Sequence, residues 1–514
     1  MPTPGLTVAD PAAASPGAPS PVRPMDAPAA GLSVASGPTV TGHYVDGVLV
    51  EGARSGGTPV HDPATGELIG VTGHAGPATV ARALAAARAA APGWAARPLA
   101  ERMRYLDAWR ERLAAAADAL TELVVDELGL IPEFARRVHV GRAVGCLEHL
   151  GELAEAVLTP RREGTSLVVR EPAGVVAAIT AWNFPLHMLV SKISSAIALG
   201  NTVVIKPSEI KSLAAWAATR LLAQVGLPPG VVNVVGGTGP EVGAALVAHP
   251  DVDMISFTGS REVGRSILAT TATTITRSVL ELGGKNPALL LPDASLDEAL
   301  PGVLGSCLFN NGQVCGAQSR LIVPRALLAE VEERVAEIVD RTVVGPPRAA
   351  GTGLGPVVSA AQQARVSGFI ADGLSSGLRL LRGGLGLPEG LPASHHGGYY
   401  LRPTVFTDVA AGHRLAQEEI FGPVLTILAC DNVDDMVAVA NGTRYGLTAA
   451  VWSADLDRSI AVARRLNAGQ VVVNGGAFNL AAPYGGVRES GNGREHGREG
   501  LAELTEVKSL QLPA

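Results

Sequence analysis

The stretch "GVVAAITAWNFPLHMLVSKISSAIALGNTVVIKPSE" (174–209) decides the fold class. Its two apolar runs, "GVVAAITAW" (174–182) and "TVVIKPSE" (202–209), predict strands, and the segment 187–199 between them predicts a helix. The runs are nearly continuous rather than alternating, as expected when helices cover both faces of a parallel sheet. The stretch therefore predicts a strand–helix–strand unit of an α/β protein.

The same alternation continues along the chain in both directions. Further strands are predicted at 231–237, 253–260 and 278–284, with helices at 212–226, 241–248 and 262–270. This repetition is typical of a doubly wound, Rossmann-like sheet. An Ala-rich helical region (76–156) precedes it, and a second α/β segment with apolar strands such as "RLIVP" and "GPVLTILAC" follows at 285–484.

The composition excludes several classes of protein. At 514 residues the chain is too long for one core, so two or three domains are expected. A formal net charge of −7 argues against nucleic-acid binding, and no apolar run approaches the roughly 18–20 residues that cross a membrane. Residues 1–40, rich in Pro, Ala, Ser and Gly, are predicted to be a disordered tail.

Cysteine usage favours a reducing, cytoplasmic location. The four cysteines are far apart or lack ligand-like spacing, so neither a disulfide framework nor a metal site is predicted. They are Cys146, Cys307, Cys315 and Cys430. Cys307 lies among apolar residues and is assigned to the core.

Two loops of the predicted sheet suggest a dinucleotide site. "FTGSREVG" (257–264) places Gly259 and Ser260 before a helix, where backbone N–H groups favour a pyrophosphate, although an ordinary tight turn is an equal alternative. "KPSE" places Lys206 and Glu209 where the ribose of a dinucleotide is bound. A carboxylate there favours NAD over NADP, whereas the alternative is a solvated helix N-terminus capped by Ser208.

Three other residues have side chains suited to catalysis. Glu281 in "LELGGKNP" ends an apolar strand, where burial would raise its pKa and make it a general base; the alternative is a Glu that reaches solvent. Asn183 in "TAWNFP" is a neutral donor suited to an oxyanion, or else a turn residue. Cys315 in "FNNGQVCGAQSR" is a candidate nucleophile, or else a small buried apolar residue.

Taken together, these motifs resemble the aldehyde dehydrogenase superfamily. "TAWNFP", "KPSE", "FTGS", "LELGGKNP", "GQVC", "EEIFGP" and "PYGGVRESGNGRE" occur in the family's order between about residues 41 and 510, and Glu281 precedes Cys315 by the family's interval. The resemblance implies an NAD-dependent, hydrolytic enzyme, with NADP less favoured. It implies that Cys315 attacks an aldehyde, that Asn183 and the Cys315 N–H hold the oxyanion, and that Glu281 activates the water that hydrolyses the thioester.

The resemblance also implies cofactor and substrate contacts. The implied cofactor contacts are Gly239, Lys206, Glu209, Gly259, Ser260, Trp182, Leu282, Gln362, Glu419 and Phe421. The implied walls of the substrate tunnel are His187, Met188, Ser191, Phe478 and Tyr484. Ser191 is small where some family members carry a bulky aromatic residue, which predicts that large apolar or aromatic aldehydes are accepted.

The implied architecture is a doubly wound Rossmann-like cofactor domain, a second α/β catalytic domain and a β-strand oligomerisation arm. The cofactor domain comprises 41–156 and 175–283, and the catalytic domain comprises 284–484. The arm, 157–174 with 485–514, predicts a homodimer or homotetramer. Two alternatives remain, a CoA-acylating enzyme and a non-catalytic protein on the same fold; Glu281 argues against the first because acylating relatives of the methylmalonate-semialdehyde dehydrogenase kind lack that carboxylate.

Overall fold

The computed structural model describes residues 39–52 and 55–513. Most of the tail predicted at 1–40 lies outside the described residues; Thr39 and Val40 belong to the first strand, Thr39–Thr41. Within the described ranges, no helix combines the length and the apolar character needed to cross a bilayer.

The first large sheet is the predicted doubly wound sheet. Five central parallel strands stand in the order Arg277–Glu281, Met254–Thr258, Val175–Ile179, Thr202–Lys206 and Val232–Val234. The chain builds the sheet outward from Val175–Ile179 in one direction and then returns to build it in the other. The strand order therefore reverses between Val175–Ile179 and Met254–Thr258, the switch point at which such sheets bind ligands.

Both edges of this sheet are antiparallel. His43–Val45 and Val48–Val50 close one edge, and Gly491–Asn492 pairs with Arg277–Glu281 at the other. Residues 491–492 were expected in the oligomerisation arm, and the structure corrects this. The Leu280 N–H donates to Asn492 Oδ1 at 3.1 Å and the Leu282 N–H to the Ser490 carbonyl at 3.0 Å, so this segment covers groups that would otherwise form an unpaired edge.

Helices cover both faces of the cofactor sheet. Its own crossover helices are Pro185–Ala198, Leu213–Ala223, Ala244–Val247 (after a π-helical turn, Gly239–Gly243) and Arg261–Thr271. The Ala-rich region forms the helices Pro77–Ala95, Leu99–Ala115, Ala117–Leu128, Pro132–Phe134, Gly141–Gly145 and Leu150–Leu158, with a π-helical turn at Ala135–Val140. All five residues of the strand Val175–Ile179 are buried, which explains the continuous apolar run.

The second large sheet belongs to the predicted catalytic segment. Its strands run in the order Arg379–Arg382, Thr404–Thr407, Val424–Cys430, Arg320–Pro324, Pro287–Leu290, Thr448–Trp452 and Gln470–Val473, and only the first pairs antiparallel. Its helices are Leu296–Leu308, Leu328–Asp340, Ala360–Ser375, Arg414–Gln417, Val433–Asn441 and Leu456–Ala463. The mixed layers of strands and helices fit the predicted α/β class.

Two small sheets complete the fold. Thr505–Gln511, Ser166–Pro172 and Arg161–Glu163 form the antiparallel arm, with the helix Gly497–Glu503 before its last strand. The other small sheet joins Thr39–Thr41, Leu68–Thr72 and Thr58–His61 and was not predicted. Its strands are only half buried, so they lack the continuous apolar runs of the large sheets.

Candidate active site

The predicted site residues lie around the switch point of the first sheet. Ile179 and Phe257 are paired partners on the two adjacent strands. The chain leaves the first strand toward Trp182 and Asn183, and it leaves the second toward Gly259 and Ser260. Because the carboxyl ends of parallel strands meet at one edge of a sheet, both loops border the same crevice.

Lys206 and Glu209 form a compact polar pair at the next strand end. Lys206 Nζ donates to Glu209 Oε2 at 2.9 Å and to the carbonyls of Pro207 and Gly237, both at 3.0 Å. Glu209 Oε1 accepts from the Gly239 N–H at 3.3 Å. Burial alone would raise the pKa of Glu209, but the Lys206 ammonium and these hydrogen bonds hold it below its usual value. The carboxylate is therefore ionised and held in place.

The crevice beside this pair is open. A Cβ on Gly239 would meet no atom within 4 Å, so the backbone there faces free space. Ser260 is exposed and caps the helix Arg261–Thr271, its Oγ accepting from the Val263 N–H at 3.3 Å. The Gly259 N–H donates to the Glu281 carbonyl at 3.0 Å. An open helix N-terminus at a strand end suits a phosphate group.

Two of the simpler interpretations of the sequence are wrong. The helix after "KPSE" is Leu213–Ala223 and begins after Ser212, so Ser208 does not cap it. Glu281 is 4% exposed, so its side chain does not reach solvent. Glu209 is instead bound by Lys206 and by the Gly239 N–H, and the Glu281 carboxyl group is buried.

Four residues expected at the nicotinamide end lie together. The rings of Trp182 and Phe421 meet edge to face, with centroids 5.2 Å apart. Gln362 Nε2 donates to the Phe421 carbonyl at 2.7 Å, and Arg365, which the sequence did not single out, donates to the Glu419 carbonyl at 2.7 Å. Phe421 has φ +65°, a strained conformation for a bulky residue, which these contacts support.

The two glycines of "LELGG" seat the Glu419 carboxylate. The Gly284 N–H donates to Glu419 Oε1 at 3.1 Å, and a Cβ at Gly283 would collide with the same carboxylate. Burial raises the pKa of Glu419 to about 7. Leu282 packs closely against Gly264 of the helix that follows Ser260. These small residues thus let the catalytic segment approach the cofactor sheet.

The amides before Cys315 shape its loop. Asn310 and Asn311 have φ of 55° and 57°, the left-handed region that Asn tolerates better than most residues. Asn310 Oδ1 lies 3.0 Å from His139 Nε2, and Asn311 Nδ2 donates to the Pro356 carbonyl at 2.7 Å. The amides thus turn the chain sharply and fasten it to neighbouring segments, so that Cys315 is held at a defined position.

One predicted residue contacts Cys315 itself, and another contacts the loop that carries it. Its Sγ lies 3.3 Å from the Tyr484 hydroxyl. Burial raises the pKa of the thiol to about 12, and the hydrogen bond with Tyr484 opposes this. Asn183 Nδ2 donates to the carbonyl of Gln313, two residues before Cys315, at 3.0 Å. An amide nitrogen carries two N–H groups, so the second can donate to a ligand beside the thiol.

Glu281 completes the group around the thiol. Neither carboxylate oxygen has a hydrogen-bond partner among the described residues. Burial raises the pKa of Glu281 well above its usual value, and the Glu495 charge adds to this, while Lys192 and Arg494 oppose it. A Cβ at Gly485 would collide with Glu281 Oε1, so the carboxyl group lies against the residue that follows Tyr484, whose hydroxyl contacts the thiol. Cys315, Asn183 and Glu281 therefore lie around one site.

Three of the predicted tunnel residues belong to two pairs of stacked or packed rings that contact each other. Phe478 packs against Tyr484 with ring centroids 5.8 Å apart, and the ring of His187 stacks on His496 at 5.5 Å. Phe478 also contacts His496, which joins the two pairs. Ser191 is buried and lines a small cavity that also contains His496. Met188, next to His187, is half buried.

The sequence did not single out Arg142. Its guanidinium lies over the rings of Phe309 and Phe478, with Cζ 5.3 and 4.6 Å from their centroids. The residue lies in the short helix Gly141–Gly145, inside the Ala-rich region. No motif marks it there, and only its long-range contacts with Phe309 and Phe478 reveal its position.

The fold and the site thus define a protein with a cysteine thiol beside a dinucleotide-type crevice. A sequence profile of the "Aldehyde dehydrogenase family" matches residues 50–510. The chain is 38% identical to a 3-succinoylsemialdehyde-pyridine dehydrogenase of a Pseudomonas species, over 91% of this chain and 97% of that protein. It is 38% identical to the 2-aminomuconic semialdehyde dehydrogenase of Bos taurus, over 88% and 94%.

Solved structures agree with these relatives. An aldehyde dehydrogenase C variant of Pseudomonas syringae, solved with NAD+ and octanal, matches with a TM-score of 0.89 and 41% identity, covering 93% of this chain and 98% of that one. An aldehyde dehydrogenase of Mycobacterium tuberculosis, solved with NAD+, matches with a TM-score of 0.89 and 39% identity, covering 93% and 99%. The chain belongs to the aldehyde dehydrogenase family, which confirms the resemblance and the fold class.

Proposed function

We propose that the protein oxidises an aldehyde to its carboxylic acid with NAD, through a covalent intermediate on Cys315. The observation that carries this proposal is the convergence of a thiol, a neutral donor and a buried carboxyl group at one place. Three contacts support it: Asn183 donates to the Gln313 carbonyl in the loop of Cys315, Tyr484 contacts the thiol, and Glu281 lies against Gly485, the residue after Tyr484. Such a set suits nucleophilic attack on a carbonyl followed by hydrolysis.

The residues of the crevice fit a dinucleotide. Glu209, held by Lys206, would bind the hydroxyls of the adenosine ribose, and its charge would disfavour the 2′-phosphate of NADP. The backbone at Ser260 would accommodate the pyrophosphate, the open backbone at Gly239 would let its helix approach the adenine side, and Glu419 would hold the second ribose. When bound, NAD supplies the hydride acceptor. The solved relatives with NAD+ support this choice.

The protein's own groups account for the chemistry on the substrate. The Cys315 sulfur would bond to the aldehyde carbon, and the hydrogen bond from Tyr484 would favour the thiolate that this needs. The second N–H of Asn183 and the Cys315 N–H would hold the oxyanion of the thiohemiacetal. After loss of the hydride, the carbon remains bound as a thioester.

Glu281 would release the product. As a carboxylate it would take a proton from the water that attacks the thioester, which frees the carboxylic acid and restores the thiol. Its pKa is raised by burial, so this step slows as the pH falls and the group becomes protonated. The charges of Lys192 and Arg494 favour the ionised form and so oppose this rise in the pKa of Glu281. A nearby carboxyl group also favours hydrolysis over transfer to CoA.

The proposed substrate size rests on the small volume of the Ser191 side chain, and the proposed oligomer rests on the exposed strand of the arm. Ser191 leaves room where a larger residue would narrow the tunnel, so large apolar or aromatic aldehydes are proposed substrates. The arm strand Thr505–Gln511 exposes Val507 (56%) and Leu510 (41%), which supports pairing between subunits of a homodimer or homotetramer. The free cysteines suit a cytoplasmic location.

The test is NADH formation with a panel of aldehydes, from acetaldehyde to benzaldehyde and long-chain aldehydes, with and without CoA. We expect turnover without CoA, extending to the large members, and none in Cys315→Ala. Absence of turnover with every aldehyde would refute the enzyme assignment, and dependence on CoA would refute hydrolysis. Activity in Cys315→Ala would refute the role of the thiol, and activity confined to acetaldehyde would refute the wide tunnel.

A further inference from the structure

Arg142 lies beside the proposed site and has no charged partner in the part of the chain that the structure describes. Its guanidinium lies between the rings of Phe309 and Phe478. Among the described residues it forms neither an ion pair with a carboxylate nor a side-chain hydrogen bond, and the only groups whose charges raise its pKa are Tyr484 and Cys315. A half-buried arginine normally has a partner, because its five N–H donors lose water on burial.

A chain of contacts places this guanidinium near the reacting thiol. Arg142 Cζ lies 4.6 Å from the Phe478 centroid, and that ring is 5.8 Å from the ring of Tyr484. The Tyr484 hydroxyl is 3.3 Å from Cys315 Sγ. The rings of Phe478 and Tyr484 therefore link the guanidinium to the thiol. A substrate bound at Cys315 would extend toward it.

The other titratable groups around Arg142 do not neutralise it. They are His139, His187, His496, Tyr484 and Cys315. Burial lowers the pKa of His139 to about 3 and that of His187 well below its usual value, so these rings are uncharged. The imidazoles of His139 and His187 therefore add no charge beside the guanidinium, which is set against the aromatic rings of Phe309 and Phe478.

We propose that Arg142 binds a carboxylate carried by the aldehyde substrate at the end remote from its carbonyl group. The planar guanidinium pairs with a carboxylate through two parallel N–H···O bonds. Phe309 and Phe478 would pack against the body of the substrate. The proposal rests on the proposed function and narrows it, because an apolar or aromatic aldehyde would then be a better substrate when it also carries an acid group.

A pair of aldehydes that differ in one group tests the proposal. The selectivity is the ratio of kcat/KM for 4-carboxybenzaldehyde to that for 4-methylbenzaldehyde, measured with NAD. We expect the wild type to prefer the acid, and Arg142→Gln to lower the selectivity about 10–100-fold, mainly through KM, since a charge-assisted pair remote from the carbonyl is lost. Arg142→Lys should retain part of the selectivity, because the positive charge remains. It should not retain all of it, because an ammonium group cannot form the two parallel hydrogen bonds of a guanidinium.

Arg137→Gln is the matched control. Arg137 is exposed and five residues earlier, so its removal changes the net charge equally and should leave the selectivity unchanged. If Arg142→Gln is insoluble, inhibition of the wild type by terephthalate, expected to exceed that by 4-methylbenzoate, gives the same answer. A wild type without preference for the acid, or an equal loss on both aldehydes in Arg142→Gln, would overturn the proposal while leaving the proposed function intact. If no aldehyde is oxidised at all, the proposed function fails as well.

Discussion

Glu209 and Glu281 are two carboxylates at the same edge of one sheet, and their surroundings are opposite. Glu209 follows the strand Thr202–Lys206 and accepts from Lys206 Nζ at 2.9 Å and from the Gly239 N–H at 3.3 Å. Glu281 ends the strand Arg277–Glu281 and has no hydrogen-bond partner on either oxygen among the described residues. The negative charge of Glu209 is thus stabilised by neighbouring donors, whereas the Glu281 carboxyl group accepts no hydrogen bond from the described residues.

The difference separates a binding group from a group that exchanges protons. The Lys206 ammonium and the Gly239 N–H lower the pKa of Glu209 despite its burial. The carboxylate therefore stays ionised and can accept hydrogen bonds from a ligand. Burial, which Lys192 and Arg494 oppose only in part, raises the pKa of Glu281 well above its usual value, so it exchanges protons at a higher pH than an ordinary carboxyl group. The same residue type thus acquires two roles from its neighbours.

Of the substitutions at these two carboxylates, Glu281→Gln should have the larger effect on activity. An amide cannot act as a base, so steady-state turnover should fall by about 10²–10⁴-fold. The chemistry before hydrolysis does not need this base, so mixing enzyme, NAD and aldehyde should still release a burst of up to one NADH per site. Rapid-mixing absorbance measures both phases. Loss of the burst together with turnover would place Glu281 in the first half of the reaction instead.

Glu209→Gln should give a smaller and different effect. The burst and the slow phase should persist, while the KM for NAD rises about tenfold, as expected for one weakened hydrogen-bonding group. Lys206, 2% exposed, would lose its ionic partner, so the free energy of unfolding should fall by about 1–3 kcal/mol. The double variant with Lys206→Met should recover part of that loss. An unchanged KM for NAD would refute the binding role.

The sequence predicted the features that depend on residues close together in the chain, and it missed those that depend on residues far apart in the chain. The central strands of the first sheet could be predicted because each is a buried, continuous apolar run, although the prediction 202–209 extended past the observed Thr202–Lys206. The strand Thr58–His61 could not, because it is half exposed and contains Pro59. Gly491–Asn492 is only two residues long, and its pairing is set by the sheet edge it covers.

The site shows the same division. Cys315 and Glu281 could be singled out because local motifs mark them. The contact between Cys315 and Tyr484 joins residues far apart in the chain, and Tyr484 was expected only as a tunnel wall. Arg142 carries no motif, and its significance comes from Phe309 and Phe478, which the fold brings to it. Single residues with long-range partners are therefore what sequence reasoning missed.

The smallest expected effect is on the pH dependence of stability, where the two carboxylates should act in opposite directions. Glu281 has a raised pKa in the folded state, so its contribution is fully present below the unfolded value, about 4.3 for Glu, and is lost as pH rises through the folded value. Glu209 has a lowered pKa, so its contribution is present above about 4.3 and is lost as pH falls through the folded value. The free energy of unfolding should therefore be measured with urea at pH 5 and at pH 9. Relative to the wild type, Glu281→Gln should be more stable at pH 9 than at pH 5 by about 1–3 kcal/mol, the range for a buried charge without a partner. Glu209→Gln should show no such gain between these pH values, and the same gain in both variants would mean that their surroundings do not differ as the contacts indicate.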